Sequence, residues 1–156
     1  MMRSLRHRNF RLFWSGQLIS LIGTWMQALA LQWLVYTITG SALAMGTVAA
    51  LTSLPVLLIS PFAGVLVDRY PKRGVIMAAQ TVAMISAFTL ALLTFGGVVE
   101  YWHILTLAVI NGLVNAVDMP ARQAFTSEIV ADRADLMNAI ALNSSMFNAA
   151  RVLGPA

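Results

Sequence analysis

The stretch Gly64-Val65-Leu66-Val67-Asp68-Arg69-Tyr70-Pro71-Lys72-Arg73 places a short, densely charged turn between two segments that water would reject. Upstream, residues 12–67 contain no Asp, Glu, Lys or Arg; downstream, neither do residues 74–99. A helix rises about 1.5 Å per residue and the hydrocarbon core is about 30 Å thick, so about 20 apolar residues cross it. The upstream run is long enough for two crossings and the downstream run for one. Residues 68–73 therefore read as a hinge held at one surface of a bilayer.

Composition points the same way. Of 156 residues, 59% are hydrophobic and 10% charged, too few charges to cover a soluble surface. The expected fold class is an all-α integral membrane protein embedded in lipid. Cysteine is absent, which excludes disulfides and thiolate metal sites. The net charge is +4, but the basic residues form short clusters beside apolar runs, a topology signal rather than a nucleic-acid surface. No His/Cys/Asp cluster has ligand spacing, and no phosphate loop or nucleophile constellation occurs. Neither metal, cofactor nor enzyme is expected.

Outward toward the N-terminus, the first helix is expected near residues 10–37. It follows a basic flank of Arg3, Arg6, His7, Arg8 and Arg11. Ala28-Leu29-Ala30 resembles a signal-peptide cleavage site. The apolar run continues unbroken to Val35, however, and further spans follow, which fits a first membrane helix better. Thr39-Gly40-Ser41 is the turn that separates a second helix near 43–67. Beyond the hinge, a third helix near 74–95 stops at Gly96-Gly97. Glu100-Tyr101-Trp102-His103 forms an interfacial belt opening a fourth helix near 102–120, closed by Met119-Pro120. A polar segment, 122–135, leads to a last apolar stretch, 136–156. That stretch finishes at Gly154-Pro155-Ala156 without a flanking anchor. The expectation is the front part of a longer protein rather than a complete five-helix one.

If the spans alternate, one face collects Arg3, Arg6, Arg8, Arg11, Arg69, Lys72, Arg73, Arg122 and Arg133. The connections around Gly40 and Gly97, on the other face, collect no Lys or Arg. Positive side chains stay on the cytoplasmic side, so the N-terminus and the hinge are expected there.

Polar groups inside spans are costly unless they meet a partner or water. On the first helix Gln17, Ser20, Thr24 and Gln27 share a sector; on the fourth, Asn111, Asn115, Asp118 and Arg122 do; on the fifth, Ser144, Asn148 and Arg151 do. Three stripes predict a hydrated interior. In that reading Thr24, Gln27, Asn111, Asn115, Asn148 and Arg151 are cavity or substrate candidates. The plainer reading is interhelical hydrogen bonds of about 1 kcal/mol each that hold the bundle together. Asp118 and Arg122 read either as an interfacial i,i+4 ion pair or as partners of Arg69, Lys72 and Arg73. Arg151, deep in the fifth helix, reads either as a side chain that snorkels outward or as a fixed positive charge in the cavity favouring anionic groups. Gly16, Gly23, Gly46, Ala50, Pro55 and Pro61 are expected at close approaches or bends. The nine methionines read as packing rather than a metal path.

At the hinge a resemblance becomes specific. Gly64 to Arg73 resembles the G-x-L-a-D-r-x-G-r-k loop of the major facilitator superfamily, which joins that family's second and third helices. Ala150-x-x-x-Gly154-Pro155 resembles the start of its helix-five motif. Asp118-Met-Pro-Ala-Arg122, Asn138-Ala-Ile-Ala-Leu-Asn143 and Arg151-Val-Leu-Gly-Pro are similar to the enterobactin-exporter-like branch. The resemblance covers the chain and implies about five helices of an expected twelve. It further implies alternating access between two halves, the second of which lies outside this sequence. In that picture Gly64, Asp68, Arg69, Lys72, Arg73, Asp118 and Arg122 would form a cytoplasmic gate. Gly154 and Pro155 would bend helix five.

Two departures stand out. Pro71 replaces the loop's usual glycine, and Ala108, four residues before Gly112, stands where many proton-driven members carry arginine. The implied activity is export of drug- or siderophore-like molecules across the bacterial inner membrane, driven by protons. The rival readings are a non-transporting scaffold with a transporter-derived fold, and a pore. The absence of a charged ring argues against the pore.

Overall fold

The computed structural model describes residues 8–129 and 133–154. Five helices follow one another: α1 (Arg8–Thr39), α2 (Ala42–Arg69), α3 (Lys72–Phe95), α4 (Tyr101–Ile129) and α5 (Arg133–Leu153). Four of them, α1 to α4, are long and apolar enough to cross a membrane. At 32, 28, 24 and 29 residues they exceed the minimum of about 20, so they are tilted or reach past the hydrocarbon. The fifth helix, expected as a span, is not among them, because Asn138, Asn143, Ser144, Ser145, Asn148 and Arg151 dilute its apolar character.

Helix ends follow local chemistry. Gly40, at φ +61°, takes the left-handed conformation that stops α1, and its N–H donates to the carbonyl of Tyr36. Ser41 then caps α2 by accepting from the N–H of Ala44. Gly97, at φ +68°, performs the same turn after α3.

Two boundaries depart from the sequence expectation. The hinge is not six residues of loop: α2 runs through Arg69 and α3 starts at Lys72, leaving Tyr70 and Pro71 as the connection. The basic residues Arg69, Lys72 and Arg73 extend both helices because long basic side chains are good helix formers once their heads reach water. The fourth helix does not stop at Pro120 but continues to Ile129, taking in much of the polar segment. A proline forfeits one backbone bond. Here the helix formers Ala121, Arg122, Gln123 and Ala124 follow, and an Asp118–Arg122 pair spans the break.

The chain divides into two compact units, Gln32–Gln123 and Met1–Leu31 with Ala124–Ala156. In the unit of residues 32–123 the buried positions are mostly small: Val48, Pro55, Ala63 and Val67 on α2, and Ile104, Ala108, Gly112 and Ala116 on α4. Large apolar side chains such as Trp33, Leu57, Phe62, Phe88 and Phe95 point outward. This inverts the soluble pattern. Lipid is as apolar as leucine, so helices associate through small residues and leave large ones to the lipid. The glycine of α4 shows how close that approach is. A Cβ on Gly112 would stand 2.6 Å from the carbonyl oxygen of Thr52 and 2.9 Å from Cγ of Pro55. Toward the start of the same pair of helices, the Tyr101 hydroxyl donates to the carbonyl of Ala44 at 3.3 Å.

The other unit is held by aromatic and small-residue contacts. Phe13 meets Phe125 edge-on at 5.2 Å, and Trp25 meets Phe147 edge-on at 5.6 Å. One further turn pair along α5, Gly154 is buried where a Cβ would meet Cβ of Trp25 at 2.5 Å. The glycines expected at close approaches, Gly16, Gly23 and Gly46, have nothing within 4 Å of an added Cβ. Helix spacing alone identifies a glycine's face, not whether a neighbour arrives there.

Candidate functional site

The charged connection is built from two helix ends. Asp68 and Arg69 occupy the last turn of α2, and Lys72 and Arg73 the first turn of α3. Asp68, Arg69 and Arg73 are exposed, while Lys72 and Gly64 are half-buried. The helix dipole favours Arg69 where it is and disfavours Lys72 and Arg73 at an N-terminus, each by about 0.3–1 kcal/mol. A cation drawn into the bilayer centre costs about 2.5–3.5 kcal/mol on insertion scales. The membrane boundary outweighs the dipole, which explains basic residues at the wrong end of α3. Pro71, at φ −58°, forms the N-terminal cap of α3, and the N–H groups of Gly74 and Val75 donate back to its carbonyl.

Near the end of the same unit, Arg122 Nε donates to Asp118 Oδ2 at 2.5 Å, one helical turn apart on α4. Both side chains are largely buried, at 16% and 14% exposure for Arg122 and Asp118. The second carboxylate oxygen, Oδ1, is buried and meets no donor among the described residues. Of the two readings of Asp118, the structure therefore contains the i,i+4 pair. Its stripe partners differ in exposure: Asn111 is half-buried and Asn115 exposed.

In the unit of residues 1–31 and 124–156, Thr24 donates its hydroxyl to the carbonyl of Ser20 at 2.9 Å. Asn148 donates its Nδ2 to the carbonyl of Ser144 at 2.9 Å. Each side chain thus places a donor on its own helix, which lowers the cost of facing lipid or water. Gln27 is half-buried, and Arg151 is exposed in the last turn of α5, where the helix dipole favours a cation. Gly154 lies against Trp25, as described above; Pro155 lies outside the described residues.

Sequence reasoning did not foresee that three polar atoms of this unit would be buried without a partner among the described residues: Trp14 Nε1, Gln17 Oε1 and Asn143 Oδ1. It also missed buried Thr126, whose Oγ1 accepts from Asn143 Nδ2 at 3.4 Å. Gln17 sat on the predicted stripe, but a stripe does not say which of its members will be enclosed. No group of His, Asp and Glu among the described residues could hold a metal ion.

Comparison with known proteins gives the constellation its context. The staphyloferrin A transporter of Staphylococcus aureus is 28% identical over 145 residues, covering 92% of this chain and 36% of that protein. Macrolide efflux protein A of Streptococcus pyogenes is 25% identical over 147 residues, covering 94% and 36%. An uncharacterized MFS-type transporter of Bacillus subtilis, YfiS, is 23% identical over 143 residues, covering 91% and 33%. The chain thus spans about a third of the length of the curated relatives it matches. These relatives are transporters and efflux proteins rather than enzymes. No solved structure matches it. Residues 2–156 match the family described as transmembrane secretion effector. With its helices apolar enough to cross the bilayer repeatedly and its charged link between the second and third, this multi-pass membrane chain belongs to that family, within the major facilitator superfamily.

Proposed function

We propose that the chain is part of a secondary transporter that exports drug- or siderophore-like molecules across the bacterial inner membrane by proton-driven alternating access. In this reading it supplies helices of one half, further helices of the same protein supply the other, and the N-terminus is cytoplasmic. The observation that carries the proposal is the charged α2–α3 connection, with Asp68 and Arg69 ending one span and Lys72 and Arg73 opening the next. Charges at such a seam can be paired and released as two halves rock, at little cost because they stay at the water boundary. The relatives named for staphyloferrin A transport and macrolide efflux support a small organic cargo.

Gly64, Asp68, Arg69, Lys72 and Arg73 form the gate segment. The Asp118–Arg122 pair of α4 belongs with them, the second carboxylate oxygen of Asp118 offering a place for a donor. Thr24, Gln27, Asn148 and Arg151 in one unit, and Asn111 and Asn115 in the other, are the candidate cargo contacts, and Gly154 with Pro155 makes up the helix-five motif. Reconstituted protein containing this chain should move a macrolide or staphyloferrin A into proteoliposomes under an imposed proton gradient, and Asp68→Ala should abolish the movement. Intact transport by that variant would remove the gate role. Cysteines placed at Gln27 and Asn115 that no water-soluble thiol reagent reaches would instead favour a non-transporting scaffold.

A further inference from the structure

The start of α4 carries an arrangement that the transport reading does not use. Glu100 precedes the helix and His103 is its third residue. The backbone N–H of Glu100 donates to His103 Nδ1 at 3.0 Å, and the backbone N–H of His103 donates to the carbonyl of Glu100 at 3.1 Å. This is the reach-back half of a capping box, with an imidazole where glutamate or glutamine normally serves. The Glu100 carboxylate is occupied elsewhere: its Oε2 accepts from Trp102 Nε1 at 2.6 Å. The Trp102 and His103 rings lie against each other, with centroids 3.7 Å apart and planes tilted by 32°. Both rings line a cavity of about 140 Å³ with Thr89, Leu93, Thr106 and Leu107.

We propose that His103 is a proton-operated cap of α4. An imidazole can accept at Nδ1 only while that nitrogen carries no proton. When Nδ1 takes a proton from water, its lone pair is consumed and the Glu100 N–H loses its acceptor. The new Nδ1–H turns to the nearest anion, the Glu100 carboxylate, and displaces the indole N–H of Trp102. The carboxylate exchanges a neutral donor for a charged one, a stronger bond. The imidazole lies against the indole, so its turn moves Trp102 and the cavity that both rings line.

Among the described residues of the neighbouring segments, Glu100 is the one acid within reach. Residues 89–99, covering the end of α3 and its connection, contain no Asp, Glu, His, Lys or Arg; nor do residues 41–48 at the start of α2. On α4 itself Tyr101 is engaged with Ala44, and the last turn of α1 contributes only the exposed phenol of Tyr36. The device does not depend on what the protein transports.

The test is nuclear magnetic resonance of the full chain in lipid nanodiscs, with labelled tryptophan and histidine. The chain has two histidines and four tryptophans, so assignment by Trp102→Phe is direct. Between about pH 8 and about pH 5, where histidine side chains change charge, the Trp102 indole signal and the His103 ring signal should move with a common midpoint. In His103→Gln, whose amide oxygen keeps the cap at every pH, the Trp102 movement should vanish. A Trp102 signal that stays put while His103 titrates overturns the proposal. So does a movement that survives in His103→Gln, or a His103 ring that does not titrate in that range.

Discussion

Gly112 and the Asp118–Arg122 pair show what single residues contribute to this chain. An alanine at 112 would drive a methyl group into the Thr52 carbonyl and the Pro55 ring, neither of which can rotate aside. Overpacking of this kind costs about 1–3 kcal/mol, so Gly112→Ala should lower the melting temperature in detergent. Gly46→Ala, in a helix interior with nothing within 4 Å, should leave it unchanged or raise it slightly, since glycine in a helix costs about 0.5–1 kcal/mol relative to alanine. Equal effects of the two substitutions would refute the packing argument. For the ion pair, Arg122→Gln strands a carboxylate at 14% exposure, whereas the double variant with Asp118→Asn leaves no charge to compensate. The coupling between the two sites, read from a thermal double-mutant cycle, should fall at about 0.5–3 kcal/mol. The pair itself was legible from i,i+4 spacing. That Gly112 makes a close approach while Gly16, Gly23 and Gly46 do not was not, because it depends on where a second helix arrives.

Helix ends divide into those that sequence chemistry determines and those that context overrides. Gly40 was legible as a stop, since a residue without Cβ can adopt φ +61° at no cost. Gly40→Ala should therefore destabilise by about 1–2 kcal/mol through left-handed strain, although its surroundings are empty. A neutral result in chemical denaturation would mean that the turn relaxes into another form. Pro120 misled, because proline weakens a helix without ending it when good helix formers and a bridging ion pair follow. The fifth helix was visible as a helix, but among the described residues its composition is less apolar than that of α1 to α4. Its polar residues are spread along its length, and apolar residues near Ala156 lie beyond its last described turn.

For the whole molecule, the fold class followed from composition and from the alternation of charged and uncharged connections, which reflect bulk solvation rather than detail. The cargo contacts did not, because side chains such as Thr24 and Asn148 bond to their own helix and carry no geometric mark of a ligand. Cysteines introduced at Arg73 and at Gly97 should react with a membrane-impermeant maleimide from opposite sides of sealed spheroplasts and inverted vesicles. These 156 residues contribute no native cysteine to the background. Labelling of both from one side would dismantle the helix count. The link of Tyr70 and Pro71 has a mechanical corollary. With two residues of slack, one of them a ring of fixed φ, neither neighbouring rod can roll about its long axis without dragging the other. Only three soft backbone angles remain in the link, so much of a torque felt at one limb passes to its twin.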